Sequence, residues 1–261
     1  MTEAASQPIA SAPVLPIGER IFLYGALAAL TALAWLYLVR MPMTPQDLGG
    51  LYARMLSALP PRWADLWLNF MMWAVMMVAM MVPSATPMVM AFARVAGAHS
   101  TRPTLRICLF ASGYIAVWTL FSAAATAIQF ALLHWSLISN ALVTTPLAGG
   151  AILAVAGIYQ LTPLKQSCLG RCQSPIGFLM THWRDGAAGA LRMGLAHGAF
   201  CVGCCWMLMA VLFTVGVMNL AWVALLSAFV LLEKATAWPR AIANASGIAL
   251  IASAIAVALR R

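Results

Sequence analysis

The chain has 261 residues, of which 64% are hydrophobic and 8% charged, with a formal net charge of +9. A soluble domain averages about 25% charged residues, so a water-soluble fold could not cover this much apolar surface. The apolar runs approach the roughly 20 residues that a helix needs to cross the hydrocarbon and lack the alternation of a transmembrane barrel, which makes the fold class all-α: a polytopic transmembrane helical bundle of six to seven spans.

Residues 1–18 are small, polar and Pro-containing and read as a disordered cytoplasmic tail, leaving 19–261 as a single transmembrane domain. The first span is expected over Ile21–Val39. It reads as a retained anchor, because Glu3 and Glu19 precede it and no small-x-small cleavage site follows before Arg40. The second runs over Leu66–Val82 and is expected to end at Pro83 and Pro87, the third over Leu105–Leu133, and the fourth over Leu147–Leu161. The fifth covers Met193–Val215, the sixth Leu220–Leu232 and the seventh Ala241–Leu259; the fourth and sixth are short.

Lys and Arg collect on the cytoplasmic side of membrane proteins. With the N-terminus inside, ten of the 15 lie on inner segments: Arg20, Arg94, Arg102, Arg106, Lys165, Arg171, Arg184, Arg192, Lys234 and Arg240. Arg40, Arg54, Arg62, Arg260 and Arg261 fall outside, and the connection Leu133–Leu147 carries none. The expected location is the bacterial inner membrane. The basic residues form no stripe apart from these connections, so the charge does not point to nucleic acid. No Gly-x-x-x-x-Gly-Lys-Ser/Thr motif is present, so no P-loop nucleotide partner is expected.

The fifth span holds the densest chemistry. His197, Cys201, Cys204 and Cys205 fall within roughly a third of the helix circumference, with Gly194 and Gly198 on the same side. Three thiols and an imidazole on one stripe are soft and borderline metal ligands, and the GxxxG pair admits a neighbouring helix on that face. Before this span lie Cys168 and Cys172, spaced to share one face if helical, with His182 further on. In the second span Met72, Met76 and Met80 form an i, i+4 stripe beside Met77 and Met81. Thioethers suit Cu(I) and not Mg²⁺ or Ca²⁺, although Met also serves as adaptable packing. The breaks at Pro83 and Pro87 free backbone carbonyls that must be satisfied inside the protein. His134, Met41 and Met43 are weaker candidates for capture at the outer face. Glu233 and Lys234 end the sixth span and are expected to snorkel to the inner interface, while Gln129 and Gln160 are expected to bond between helices.

The chain resembles a bacterial family of integral membrane proteins known as predicted metal-binding. The likeness is carried by Met72–Pro87-Met88, by Gly157–Lys165 with Cys168 and Cys172, by Ser174–Pro175 to His182–Trp183, and by His197-Gly to Cys201-Val-Gly-Cys204-Cys205-Trp206. Gly216-Val-Met-Asn219 and Leu231-Leu-Glu233-Lys234 also match. The resemblance implies soft-metal handling, most plausibly of copper. Relatives often carry a Met-rich loop after the first span, of which only Met41-Pro-Met43 remains here, and an acidic residue where this chain has Ala196.

The leading function is binding of Cu(I), with zinc as the other metal these ligands admit, for transport or for delivery to a membrane enzyme. The partners would be the bilayer and a metal donor or acceptor protein; no enzymatic activity is expected. His197, Cys201, Cys204 and Cys205 would be the core ligands, Met72, Met76 and Met80 auxiliary, and Cys168 and Cys172 the inner transfer point. A thiol–disulfide relay across the membrane and a non-catalytic subunit of a larger complex are the alternatives.

Overall fold

The computed structural model describes residues 16–41, 63–99, 102–135, 137 and 144–259. Most of the expected tail, together with Met43, Arg54, Arg62, Arg260 and Arg261, lies outside the described residues. Ten helices lie among the described residues, in order α1 (Ile17–Arg40), α2 (Trp63–His99), α3 (Pro103–His134), α4 (Pro146–Leu161), α5 (Pro163–Gln173), α6 (Pro175–His182), α7 (Gly186–Ala210), α8 (Leu212–Val215), α9 (Leu220–Ala235) and α10 (Pro239–Leu259). No strand occurs among the described residues.

Helices α1, α2, α3, α10 and the α7–α8 run are each long and apolar enough to cross a membrane. Helices α4 and α5 reach that standard only together, bent by 65°. At 16 residues α9 is shorter than a crossing helix. The described residues therefore supply five candidate crossings, or six with the bent pair.

Local chemistry sets the breaks. Three starts repeat one device, a hydroxyl cap followed by proline at the first helical position. Thr145 Oγ1 accepts from the Ala148 amide ahead of Pro146, Thr162 Oγ1 from the Lys165 amide ahead of Pro163, and Ser174 Oγ from the Gly177 amide ahead of Pro175. Asn219 Oδ1 caps α9 through the Trp222 amide. The turn before it begins at Gly216, whose φ of 96° is open to glycine and strained for other residues.

The expected end of the second span at Pro83 and Pro87 is not observed, because α2 runs on through both to His99. Proline removes the amide that would bond the carbonyl four residues back. That carbonyl belongs to Ala79, and Trp35 Nε1 of α1 donates to it at 3.2 Å. Two residues further on, the Met81 carbonyl accepts from Tyr114 Oη of α3 at 3.1 Å and from Ser84 Oγ at 3.0 Å. The helix continues past Pro83 because a neighbouring helix satisfies the carbonyl that this proline frees.

Two thirds of the apolar stretch of α2 is buried (67%) against 11% for α1, so α2 is the central helix and α1 lies at the rim. Helices α3 and α7 cross with backbones nearly touching. A Cβ on Gly194 would lie 2.0 Å from the Phe110 carbonyl oxygen, one on Gly113 2.6 Å from that of Leu191, and one on Gly198 2.9 Å from Val117 Cβ. The neighbour expected on the GxxxG face is therefore α3. Gly157 and Gly247 let α4 and α10 approach in the same way. Both glutamines bond between helices: Trp73 Nε1 of α2 donates to Gln129 Oε1 of α3 at 2.7 Å, and Gln160 Nε2 of α4 to Ser246 Oγ of α10 at 2.7 Å.

Candidate metal centre

Helix α7 turns His197, Cys201, Cys204 and Cys205 inward as the 3.6-residue period requires, and all four are buried. Cys204 Sγ lies 3.3 Å from Cys205 Sγ and donates to the Cys201 carbonyl at 3.2 Å. The fourth thiol comes from α5. Cys172 is buried in the same core cluster as Cys201, Cys204 and Cys205. The bend at Thr162–Pro163 is what folds α5 back onto α7 and brings it there. Cys168 shares that face of α5, is half-buried, and sits over Gly203; a Cβ there would be 2.9 Å from its sulfur. The Tyr159 hydroxyl donates to the Gly203 carbonyl and holds this part of α7 against α4. All six cysteines are free thiols, and Cys108 is exposed away from the cluster.

Two other side chains reach the same sulfur. Tyr114 Oη of α3 lies 3.2 Å from Cys201 Sγ, and Lys234 Nζ of α9 donates to it at 2.9 Å. Lys234 Nζ also donates to Ser84 Oγ beside the Pro83 break, at 3.1 Å. Through Tyr114 and Lys234 the proline-bearing stretch of α2 is tied to the cysteine stripe of α7.

Glu233 and Lys234 do not snorkel to an interface. Glu233 is fully buried and pairs with fully buried Lys165 of α5, Nζ to Oε1 at 2.8 Å, while Lys234 turns inward to Cys201. Gln173 Nε2 donates to the carbonyls of Glu233 at 2.7 Å and Lys234 at 3.1 Å, which fixes the end of α9 against α5. Burial alone would penalise both charges heavily; the pair is tolerated because each is the other's counter-ion. A lysine at the end of an apolar run reads as a connection charge, so sequence reasoning left Lys165 among the loops. The signal available was Glu233, an acid that needs a cation once buried.

Met72, Met76 and Met80, with Met77 and Met81, are buried in one apolar cluster with Cys172, Cys201, Cys204 and Cys205. His197 is set apart from the thiols. Its ring stacks on Tyr114 at 5.5 Å and on Phe110 at 6.1 Å, with Phe178 edge-on at 5.5 Å. Both ring nitrogens are buried without a hydrogen-bond partner. Tyr114 links the two groups, its ring against His197 and its hydroxyl on Cys201. His134 is exposed at the end of α3, whereas Met41, just past α1, is half-buried and packs against the edge of this cluster.

Among the described residues no three His, Cys, Asp or Glu side chains are already arranged to hold a metal ion. The thiols are instead engaged with one another, with Tyr114 and with Lys234, so ligation requires those bonds to open. The donor set nonetheless suits a soft ion: thiols, neighbouring thioethers and an unpartnered imidazole, with Glu233 occupied by Lys165.

A family profile described as PpoB2, copper chaperone, matches residues 70–257. The chain belongs to this copper chaperone family. No curated protein and no solved structure matches the chain. The matched segment runs from α2 to α10 and contains the methionine stripe, both cysteine groups and the Lys165–Glu233 pair. For a copper chaperone family the soft cluster is consistent chemistry, since copper is the cargo such sulfur ligands select.

Proposed function

We propose that the chain is an integral membrane copper chaperone that holds Cu(I) as cargo at the thiol cluster of α5 and α7 and delivers it to an acceptor enzyme, with no catalytic step of its own. The observation that carries this is the burial of Cys172 of α5 in one sulfur-rich core with Cys201, Cys204 and Cys205 of α7. Membership of the copper chaperone family supports the choice of metal. Lys234 donates a hydrogen bond to Cys201 Sγ and holds that sulfur in place until cargo arrives. The methionine stripe offers neutral sulfur, which binds a soft ion weakly enough to pass it on. The five long apolar helices among the described residues support a membrane location, and the lysine–arginine distribution supports a cytoplasmic N-terminus and α6–α7 connection.

The test is metal content of the detergent-purified chain after Cu(I) loading under reducing conditions, beside Cys201→Ser/Cys204→Ser/Cys205→Ser. Copper retained at about one equivalent per chain or more by the parent, and lost by the triple variant, supports the reading. Two metal-free proteins would sink it, and a redox-dependent gel shift in that case would favour the thiol relay.

A further inference from the structure

At the α6–α7 junction a cavity of about 290 Å³ is lined by His182, Arg184, Arg192, Met193 and Ala196. Arg184 and Arg192 are exposed, His182 is half-buried, and Met193 is buried. Met193 lies one helical turn before His197 on α7, so the cavity floor adjoins the histidine whose two ring nitrogens have no partner. An imidazole buried without any hydrogen bond carries a desolvation cost that a ligand would offset. From the cavity inward the aromatic contacts are continuous. The His182 ring stacks on Phe178 at 4.7 Å, Phe178 meets His197 at 5.5 Å, His197 stacks on Tyr114 at 5.5 Å, and Tyr114 Oη reaches Cys201 Sγ at 3.2 Å. The Thr181 hydroxyl engages His182 Nδ1 at 2.8 Å, so Nε2 is the ring nitrogen left for a ligand.

From this arrangement we infer that the cavity is the port through which Cu(I) is exchanged. His182 is the first ligand, Met193 and His197 relay the ion to Cys201, and Arg184 and Arg192 recruit a carrier that brings copper as a net anionic complex. The inference rests on the thiol cluster being the cargo site. A bare monovalent cation would be repelled by the two guanidinium groups at the mouth. A copper ion wrapped in thiolates or carboxylates carries negative charge and would be drawn to them. The same mouth therefore favours ligand exchange from a carrier over uptake of free ion. His182 is poised to accept the ion as the carrier's ligands leave, and no electron transfer is involved.

The experiment follows transfer of Cu(I) by stopped-flow absorbance into the full, metal-free chain in detergent. Copper is supplied either as the anionic bicinchoninate complex or as the acetonitrile-solvated cation. The parent is compared with His182→Ala and with Arg184→Glu/Arg192→Glu; end-point stoichiometry serves as the check on folding. His182→Ala is expected to load to the parent's end point but about tenfold more slowly from either source. Arg184→Glu/Arg192→Glu is expected to slow transfer about tenfold from the anionic complex only, and added salt should slow the parent in the same way. Parent-like rates in both variants would overturn the port while leaving the thiol site standing. Equal slowing of the charge-reversed variant with both sources would overturn recruitment of an anionic carrier. A parent chain that takes up no copper from either source would overturn the cargo site and the port together.

Discussion

Lys165, Glu233 and Lys234 decide the interior of this molecule more than their number suggests. Breaking a buried ion pair by removing one partner leaves an uncompensated charge, at a cost of about 3–5 kcal/mol. Glu233→Ala is therefore expected to lower thermal stability in detergent by that order, whereas Lys165→Met/Glu233→Leu, which removes both charges, should recover much of the loss. Recovery would fail to appear if the pair also served to aim Lys234. Trp35 gives a smaller, cleaner case. Trp35→Phe keeps a ring of similar bulk but strands the Ala79 carbonyl that Pro83 has freed. A destabilisation of about 1–3 kcal/mol is expected from that unsatisfied group, and an unchanged melting temperature would show that the carbonyl finds another donor. None of these three ionisable side chains was legible as a core residue, because a charge at the end of an apolar run reads equally well as a connection. The outcome depends on which partner the fold brings to it, and Lys165 and Glu233 are 68 residues apart.

At the scale of helices, the close crossing of α3 and α7 positions Tyr114 against both Cys201 and His197. Gly194→Leu would drive a side chain into the Phe110 backbone, which cannot yield as a side-chain end could. The expected outcome is separation of the two helices, loss of about 1–3 kcal/mol or more, and impaired copper retention although no ligand has been changed. Retention at the parent level would show that the thiols do not need α3. The inward stripe of α7 and the GxxxG contact were readable in advance, since both follow from helical periodicity within one segment. The convergence of Cys172 on that stripe was not, because it depends on a 65° bend and on which face of α5 turns back. Reading α2 as ending at Pro83 failed for a related reason: proline breaks a helix only when nothing else bonds the carbonyl it frees, and Trp35 lies in another helix. His197 shows the limit of the wheel argument. It shares an angular sector with the cysteines yet sits a turn away in an aromatic box.

For the whole molecule, composition together with the length and non-alternation of the apolar runs pointed to the all-helical class, and among the described residues five helices are long and apolar enough to cross a bilayer. Orientation rests on the basic connections, and two of the charges counted there, Lys165 and Lys234, belong instead to the buried network. With the bent α4–α5 pair counted as a crossing and α9 not, Arg20, Arg94, Arg102, Arg106, Arg171, Arg184 and Arg192 would lie inside and Arg40 and Arg240 outside, which still favours an inner N-terminus. Alkaline phosphatase fused after Ser136 is accordingly expected to be active outside the cell membrane, and a fusion after Asp185 inactive; the reverse pattern would invert the topology and place the basic port on the outer side.

The central claim is that the cargo is held by sulfur from two different helices. X-ray absorption at the copper edge of the Cu(I)-loaded chain, compared with Cys172→Ser and with Cys108→Ser, tests it most directly. The parent and Cys108→Ser are expected to show a reduced copper ion with a sulfur-dominated shell, and Cys172→Ser to lose sulfur scattering or copper itself. A shell of nitrogen and oxygen alone, or a spectrum unchanged by Cys172→Ser, would contradict a site built between α5 and α7.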